Sequence, residues 1–576
     1  MHQCLQIAEI VSSIFAYLDG HEYDRRVRYP PRIRHRSPSV LRTLAGLTRT
    51  CTAFLEPALD VLWREIPDLS ILINHLMPAE LLRFDETTGA LSLSEPPSAD
   101  TWERLDPYIR RIQAVGIATP GGVAARRLDA ETVLRPLESY LSRGIAQSES
   151  GVLLPKLTHV VYHPAWTHEL YSRLLLHPHL QELRLPTIAF NDRSDWGLEL
   201  REDYGPHIVE NCLRPLRGHV LPAICRMHSL QTVWIKGQMW DQATLSYLSS
   251  LPSLTALALE NGWSSVSFPP RAECSHRAFP SLKQLLVSIA HSGAPVFLSH
   301  INPIALEAVT VYWEYLYSYA DASGIVIQQC LEECARFQQL QHFTVVLDRE
   351  MEKRIGDTSL PPGHQHKLQG FARSDEYLES VFALTSLRTL EITIDVVFQL
   401  NNRFLRELAQ NLPHLETLSL TPSSQTEFFF DEVSSLGDYD DDHAEDVADL
   451  PDYIPSLDGL LPLIESCHRL RELKLAVRST FSCAPAGVKV GRLSGLRVME
   501  LWATPLDPGV ADSAFIDFFM LAFPALEELH VALPTASVPT NGLYEEVSRD
   551  AAHSRWGALL GDLSGRLQGK LHIGLI

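Results

Sequence analysis

Residues 251–259 read LPSLTALAL, in which Leu254, Leu257 and Leu259 are separated first by two variable positions and then by one. The same spacing returns in FPSLKQLLV (279–287), LPHLETLSL (412–420), CHRLRELKL (467–475) and FPALEELHV (523–531). Looser copies are LPKLTHVVY around Leu157, HPHLQELRL around Leu180, MHSLQTVWI around Leu230, and the triplets Leu306/Val309/Val311, Leu340/Phe343/Val345, Leu387/Leu390/Ile392 and Leu496/Met499/Leu501. The first apolar position of each copy is a leucine, and most steps between copies run from 23 residues (157 to 180) to 34 (306 to 340). A period of that size marks a repeat architecture. Three steps (180 to 230, 340 to 387 and 415 to 470) are about twice as long, which predicts either insertions or copies too degenerate to see.

Between the copies lie amphipathic stretches with helical spacing: VIQQCLEECARF (326–337), NNRFLRELAQN (401–411), LDGLLPLIESC (457–467) and SAFIDFFMLAF (513–523). Each unit therefore reads as helix, turn and short strand. A strand apolar at alternate positions and a helix with one apolar stripe cannot bury themselves alone, but stacked copies share a core between a parallel sheet and an outer helical layer. The expectation is an α/β fold, a curved solenoid with strands on the concave side. The variable strand positions, not the leucines, would then face a ligand.

These units resemble leucine-rich repeats of the longer, helix-containing type, over residues 105–576. One feature of that family is mostly missing, the asparagine after the strand: LPSLTALAL continues with Glu260, Asn261 and Gly262, one position early, and LPHLETLSL with Thr421 and Pro422. That departure predicts an irregular strand ladder.

The N-terminal stretch LQIAEIVSSIFAYL (5–18) sets Ile7, Ile10, Ile14, Phe15 and Leu18 on one helical stripe. VLRTLAGLTRTCTAFLEPALDVLW (40–63) places Leu41, Leu44, Leu47, Cys51, Phe54, Leu59, Leu62 and Trp63 on apolar faces, with Pro57 expected to start a new helix. Three short helices are too few to bury all of these groups, so a partner or the following repeats must cover the rest. The module resembles an F-box, on Leu5, Ile7, Ile10, Ile14, Phe15, Leu18, Leu44, Cys51, Phe54 and Trp63. The run RTCTAFLEPALDVLW followed by DLSILINHLMP is similar to fungal F-box-like proteins with C-terminal leucine-rich repeats. The opening proline of that family is absent, Gln6 or Ala8 standing in its place, and an insertion at 20–39 interrupts the first two helices. The resemblance implies an adaptor-binding module at 1–75 on those ten residues, a linker at 76–104 and a substrate-binding repeat domain at 105–576. It implies docking on a Skp-type adaptor and a cullin ubiquitin ligase, with an unknown protein substrate on the repeats.

Composition narrows the alternatives. The chain has 576 residues, 45% hydrophobic and 21% charged, and a formal charge of −21, which argues against nucleic acid as the main partner. It has no run of 18 or more apolar residues, and its start lacks the basic region and cleavage site of a signal peptide, which predicts a cytoplasmic or nuclear protein without a membrane partner. The nine cysteines are scattered and form no CxxC pair, which fits reduced thiols; Cys330 and Cys334, one helical turn apart, read as a buried helix face.

Four further features have sharper and blander readings. RRVRYPPRIRHR carries six arginines from Arg25 to Arg36, yet its prolines, tyrosine and isoleucine break any regular basic face, and it reads as a solvated loop. DYDDDHAEDVAD (438–449), inside an insertion at 424–455, has His443 and Asp449 where a calcium loop needs glycine and glutamate, so it reads as an acidic insertion. GDLSGRLQGK (561–570) lacks the glycine and the hydroxyl residue of a phosphate loop. His159, His163, His168, His177 and His179 straddle two units without a cysteine, and read as exposed loop and strand-edge residues instead of metal ligands. Neither GxSxG nor HExxH occurs. No cofactor, metal or catalytic group is expected. The function implied is a non-catalytic substrate adaptor of an SCF-type ubiquitin ligase; the alternative is a repeat scaffold unconnected to ubiquitin whose N-terminal helices cap the solenoid.

Overall fold

The structure is a computed structural model that describes residues 8–18, 38–85, 89–116, 127–145, 154–163, 166, 168–185, 217–236, 241–260, 278–288, 293–302, 304–313, 320–347, 371–373, 377–394, 397–422, 455–477, 495–503, 511–532, 549–566 and 572–575. Leu5 and Ile7, the arginine run at 25–36 and the acidic run at 438–449 lie outside the described residues. The chain divides into two compact units, 1–261 with 279–281, and 262–278 with 282–576.

The N-terminal unit opens with three helices, α1 (Ala8–Leu18), α2 (Pro38–Leu47) and α3 (Thr52–Leu62). Strand β1 (Glu65–Ile66) follows α3 within a few residues and pairs in parallel with β4 (Ala114–Val115). The parallel order continues through β6 (His159–Val161), β7 (Glu182–Leu185), β8 (Thr232–Lys236) and β9 (Ala256–Glu260). Beside it, β2 (Leu82–Asp85), β3 (Ala90–Leu93) and β5 (Arg127–Leu128) form a small sheet, β2 antiparallel and β5 parallel to β3. Residues 76–104, expected to be a linker, thus carry two strands and a short helix, Ala99–Glu103. Leu91 and Leu93 are buried on the inner face of β3, which gives that hairpin a core of its own to rest on. Pro57 does not start a helix either: it lies inside α3, whose first residue is Thr52.

The C-terminal unit is a longer parallel ladder of β10 (Gln284–Ser288), β11 (Ala308–Trp313), β12 (His342–Leu347), β14 (Thr389–Ile394), β16 (Thr417–Pro422), β17 (Glu472–Val477), β18 (Val498–Ala503), β19 (Glu528–Ala532) and β20 (His572–Leu575). Strands β13 (Phe371–Arg373) and β15 (Val397–Gln399) pair apart from it. All twelve copies of the sequence motif fall on strands of these two ladders. The additional strands β1, β4 and β20 are short and carry too little of the motif to announce themselves.

Register is constant within each unit. The middle apolar position of every copy pairs with the middle position of the next, as in Val160 with Leu183, Leu183 with Val233, Leu390 with Leu418 and Leu418 with Leu473. The expected irregularity is absent from these pairings. Their regularity rests on the backbone: the carbonyl after each first leucine accepts two N–H groups from the next copy, Gln181 from Gln231 and Thr232, Glu307 from Gln341 and His342. The missing asparagine acts beyond the strand, so its loss leaves the pairing intact. The strands flanking the three long steps are direct neighbours, β7 with β8, β12 with β14 and β16 with β17, so each long step is an insertion and no copy was overlooked.

Helices between the strands turn one stripe inward. Asn401 caps the helix Asn402–Asn411 by accepting the Phe404 N–H at 2.7 Å, and Phe404, Leu405, Leu408 and Ala409 are buried beneath it. Asp241 caps Gln242–Ser250 in the same way through Thr244. The two architectures are thus α/β leucine-rich-repeat stacks. No helix among the described residues is long and apolar enough to cross a membrane.

Gly116, at φ +94, sits where the chain leaves β4, and a Cβ there would overlap the Val161 carbonyl of the neighbouring strand. Gly116→Ala is expected to cost at least about 2 kcal/mol, lowering the thermal midpoint followed by circular dichroism by about 4 °C or more; an unchanged midpoint would contradict this packing.

Candidate functional site

Two surfaces emerge, one on the helical module and one on the face of the sheet opposite the helices. In the module, Val11, Phe15, Leu44, Ala58 and Val61 form the core, with Val40, Leu47, Phe54 and Leu62 packed against it. Phe15 meets Phe54 edge-on at 5.6 Å between ring centres. Of the residues assigned to adaptor contact, Phe15 and Leu44 therefore face inward and support the module, and Phe54 is half-buried beside them. Cys51 is half-buried at the start of α3, and Leu18 ends α1. Ile10 and Ile14 point outward, at 37% and 41% exposure, and Tyr17, which the sequence reading did not single out, is 82% exposed at the end of the same stripe. Leu55 on α3 is a fourth exposed apolar side chain.

The opposite end of the module is held by the first repeat. Trp63 packs on Tyr108 with ring centres 4.7 Å apart. Arg111, only 11% exposed, donates a hydrogen bond to Glu56 and forms an ion pair with Asp60 at 2.8 Å, both on α3. A guanidinium shielded to that degree, with two carboxylates, fixes α3 against the strand that follows. The clamp engages α3, and on α1 Ile10 and Ile14 stay partly exposed and Tyr17 largely so among the described residues.

Along the sheet, the variable positions are not uniformly open. Ala258, Ser288, Thr389, Thr417 and Ser419 are buried, because small side chains sink between larger neighbours on adjacent strands, and Leu286 is buried as well. Charged groups on this face cluster in two places, in the first of which Arg184 is itself buried. In the N-terminal unit, His159 and Glu182 lie 3.6 Å apart, Glu182 accepts from Arg184 at 2.6 Å, and the Arg184 guanidinium lies 5.3 Å from the Trp234 ring centre. Arg184 is thereby fixed between a carboxylate and an aromatic face, a contact of about 0.5–2 kcal/mol. In the C-terminal unit, Lys474 lies 3.4 Å from both Glu472 and Glu500, and His530 lies 3.7 Å from Glu528. Burial pulls the Lys474 pKa down, but Glu500 and Glu472 outweigh it and hold the amine above its ordinary value. Rigid strands carrying fixed charged and aromatic groups suit protein recognition.

Two of the five histidines, His163 and His177, differ from the sequence reading. His159 is half-exposed on β6 and His179 is exposed, while His168 caps the helix Glu169–Leu175 by accepting the Leu170 N–H at 3.2 Å. His163 and His177 are buried, at 5% and 8% exposure. Alternate apolar spacing gave no warning, because both lie outside the strand triplet. Among the described residues no group of three histidines, cysteines or carboxylates is placed to hold a metal. Cys330 and Cys334 are buried on one helix face, where burial raises both thiols.

No family model matches the chain, and no curated protein matches it either. Among solved structures it is similar to an internalin (InlF) from Listeria monocytogenes str. 4b F2365, at 10% sequence identity and a TM-score of 0.29, over 81% of this chain and 95% of that one. At that score the fold assignment rests on the strand ladders themselves.

The contrast between neighbours on α1 can be measured directly. Phe15→Asp buries a charge in the module core and is expected to destabilise it by about 3 kcal/mol or more, whereas Ile14→Asp should change stability by less than about 0.5 kcal/mol. Limited proteolysis of the first 66 residues reads the difference, and equal sensitivity of the two variants would contradict the assigned orientations.

Proposed function

We propose that the chain is a non-catalytic adaptor: the α1 face carrying Ile10, Ile14 and Tyr17 docks on a Skp-type adaptor of a cullin ubiquitin ligase, and the open face of the repeats holds a protein substrate. The observation that carries this reading is the partly exposed apolar stripe of α1, spaced i, i+4, i+7, on a module whose other end is clamped to the repeats. Helix-in-groove docking uses such anchors, and their burial in a partner supplies the favourable term. The F-box resemblance of the same residues adds the class of partner. Residues buried in the module core keep the helix in place and are not contacts themselves.

A second reading has its own support. Strand β1 follows α3 at once, and Trp63 and Arg111 bind α3 to the repeat beyond it, an arrangement that suits a solenoid cap with no ligase partner. The two readings part on one experiment. Wild-type chain co-purified with a recombinant Skp-type adaptor is expected at one-to-one stoichiometry, and Ile10→Asp with Ile14→Asp is expected to abolish it with the thermal midpoint unchanged. Failure of a well-folded wild type to bind would overturn the adaptor reading and leave the cap.

A further inference from the structure

Three residues before the first leucine of each copy, the N-terminal unit keeps an apolar column: Leu154, Met227 and Leu251 are all buried there. The copy between Leu154 and Met227 breaks it with His177, which is equally enclosed, at 8% exposure. Neither ring nitrogen makes a hydrogen bond of ordinary geometry, although the Leu157 backbone lies close enough to favour the charged ring slightly. An imidazole at a core position with no firm partner is tolerated only while neutral, since desolvating the cation is costly.

The groups acting on His177 give the cation no refuge. His179 of its own turn is 6.3 Å away between ring centres and repels the charged form, and His228 of the next turn lies edge-on beyond it at 6.4 Å. In the preceding turn the charged residue is Lys156, which is exposed. No carboxylate is among the groups that shift His177. Burial pushes its pKa down to about 4. His163, in the same copy, is also held near 4 by burial, against Trp166 at 6.0 Å.

We propose that the copy spanning residues 154–185 is an acid-labile joint of the N-terminal unit, opened locally when His177 takes up a proton. In a stack of repeats each copy touches only its neighbours, so weakening one opens that copy before the rest. The sign follows from linkage. The folded copy holds its proton less tightly than the ordinary imidazole near 6.5, so its stability is full above that value and falls as pH drops toward 4. Opening here would separate β4 and the helical module from β8 and β9, since β6 and β7 lie between them. It would also free Tyr171, whose hydroxyl accepts the Leu128 N–H of the small sheet at 2.7 Å.

Hydrogen exchange read by mass spectrometry on the full chain, at about pH 7 and about pH 5, tests this after correction for intrinsic rates. Peptides within 154–185 should open on the order of tenfold more at the lower pH, with peptides in 241–260 unchanged. His177→Met, which restores the apolar column, should lower the effect severalfold, leaving the share that buried His163 contributes. Acid sensitivity undiminished by His177→Met and abolished by His163→Phe would overturn the assignment to His177, as would equal protection of the wild type at both pH values. Should His177→Met fold poorly, the imidazole C2 proton of wild-type His177 decides the matter by titration, and a pKa at or above 6.5 would sink the proposal.

Discussion

Each strand in this chain is held by a row of apolar side chains that it shares with its neighbours, and nearly everything else follows from that sharing. A strand of four to six residues with leucine, valine or isoleucine at every second position gains nothing alone. Stacked in parallel, its inward side chains meet those of the strands on both sides and of the helix above. A slip of one residue would carry every leucine to the open face, so the columns fix the register more firmly than any loop does. The double acceptance by the carbonyl after each first leucine pins the same register through the backbone.

This explains how the ladder tolerates connections of very different length. Strands flanking steps of ordinary size and strands flanking steps twice as long pair in the same way. The entropic penalty of a longer loop grows slowly with its length, whereas misplacing one buried leucine costs about 2–5 kcal/mol. The same tolerance lets a column accept an occasional polar residue. His177 and Cys467 both occupy places filled elsewhere by leucine, phenylalanine or methionine, and each is enclosed by the stack around it.

The helical module obeys a different balance. Three short helices bury one compact set of side chains, and the shielded Arg111 with its two carboxylates joins them to the repeats. What is left over is a line of apolar groups on α1. A leftover of this kind is unfavourable in water, and its retention on a helix otherwise well anchored is the reason the surface reads as a contact site.

The amino-acid sequence by itself determined the repeat, the position of twelve strands and the inward face of their helices, because the period of two in a strand and near 3.6 in a helix is written directly in the leucines. It also marked the apolar residues of the N-terminal helices. Only the tertiary structure decided which of those residues point outward: Ile10, Ile14 and Phe15 share one stripe on paper, but a stripe wider than the core must leave part of itself outside, and packing against α2 and α3 selected Phe15 and Val11. It alone decided that the long steps are insertions, that residues 82–85 and 90–93 form strands, that several serines and threonines on the sheet are closed off, and that His163 and His177 are buried. The physical reason is common to these cases. Periodicity reports which side of an element faces the core, whereas enclosure depends on neighbours brought together from distant parts of the chain.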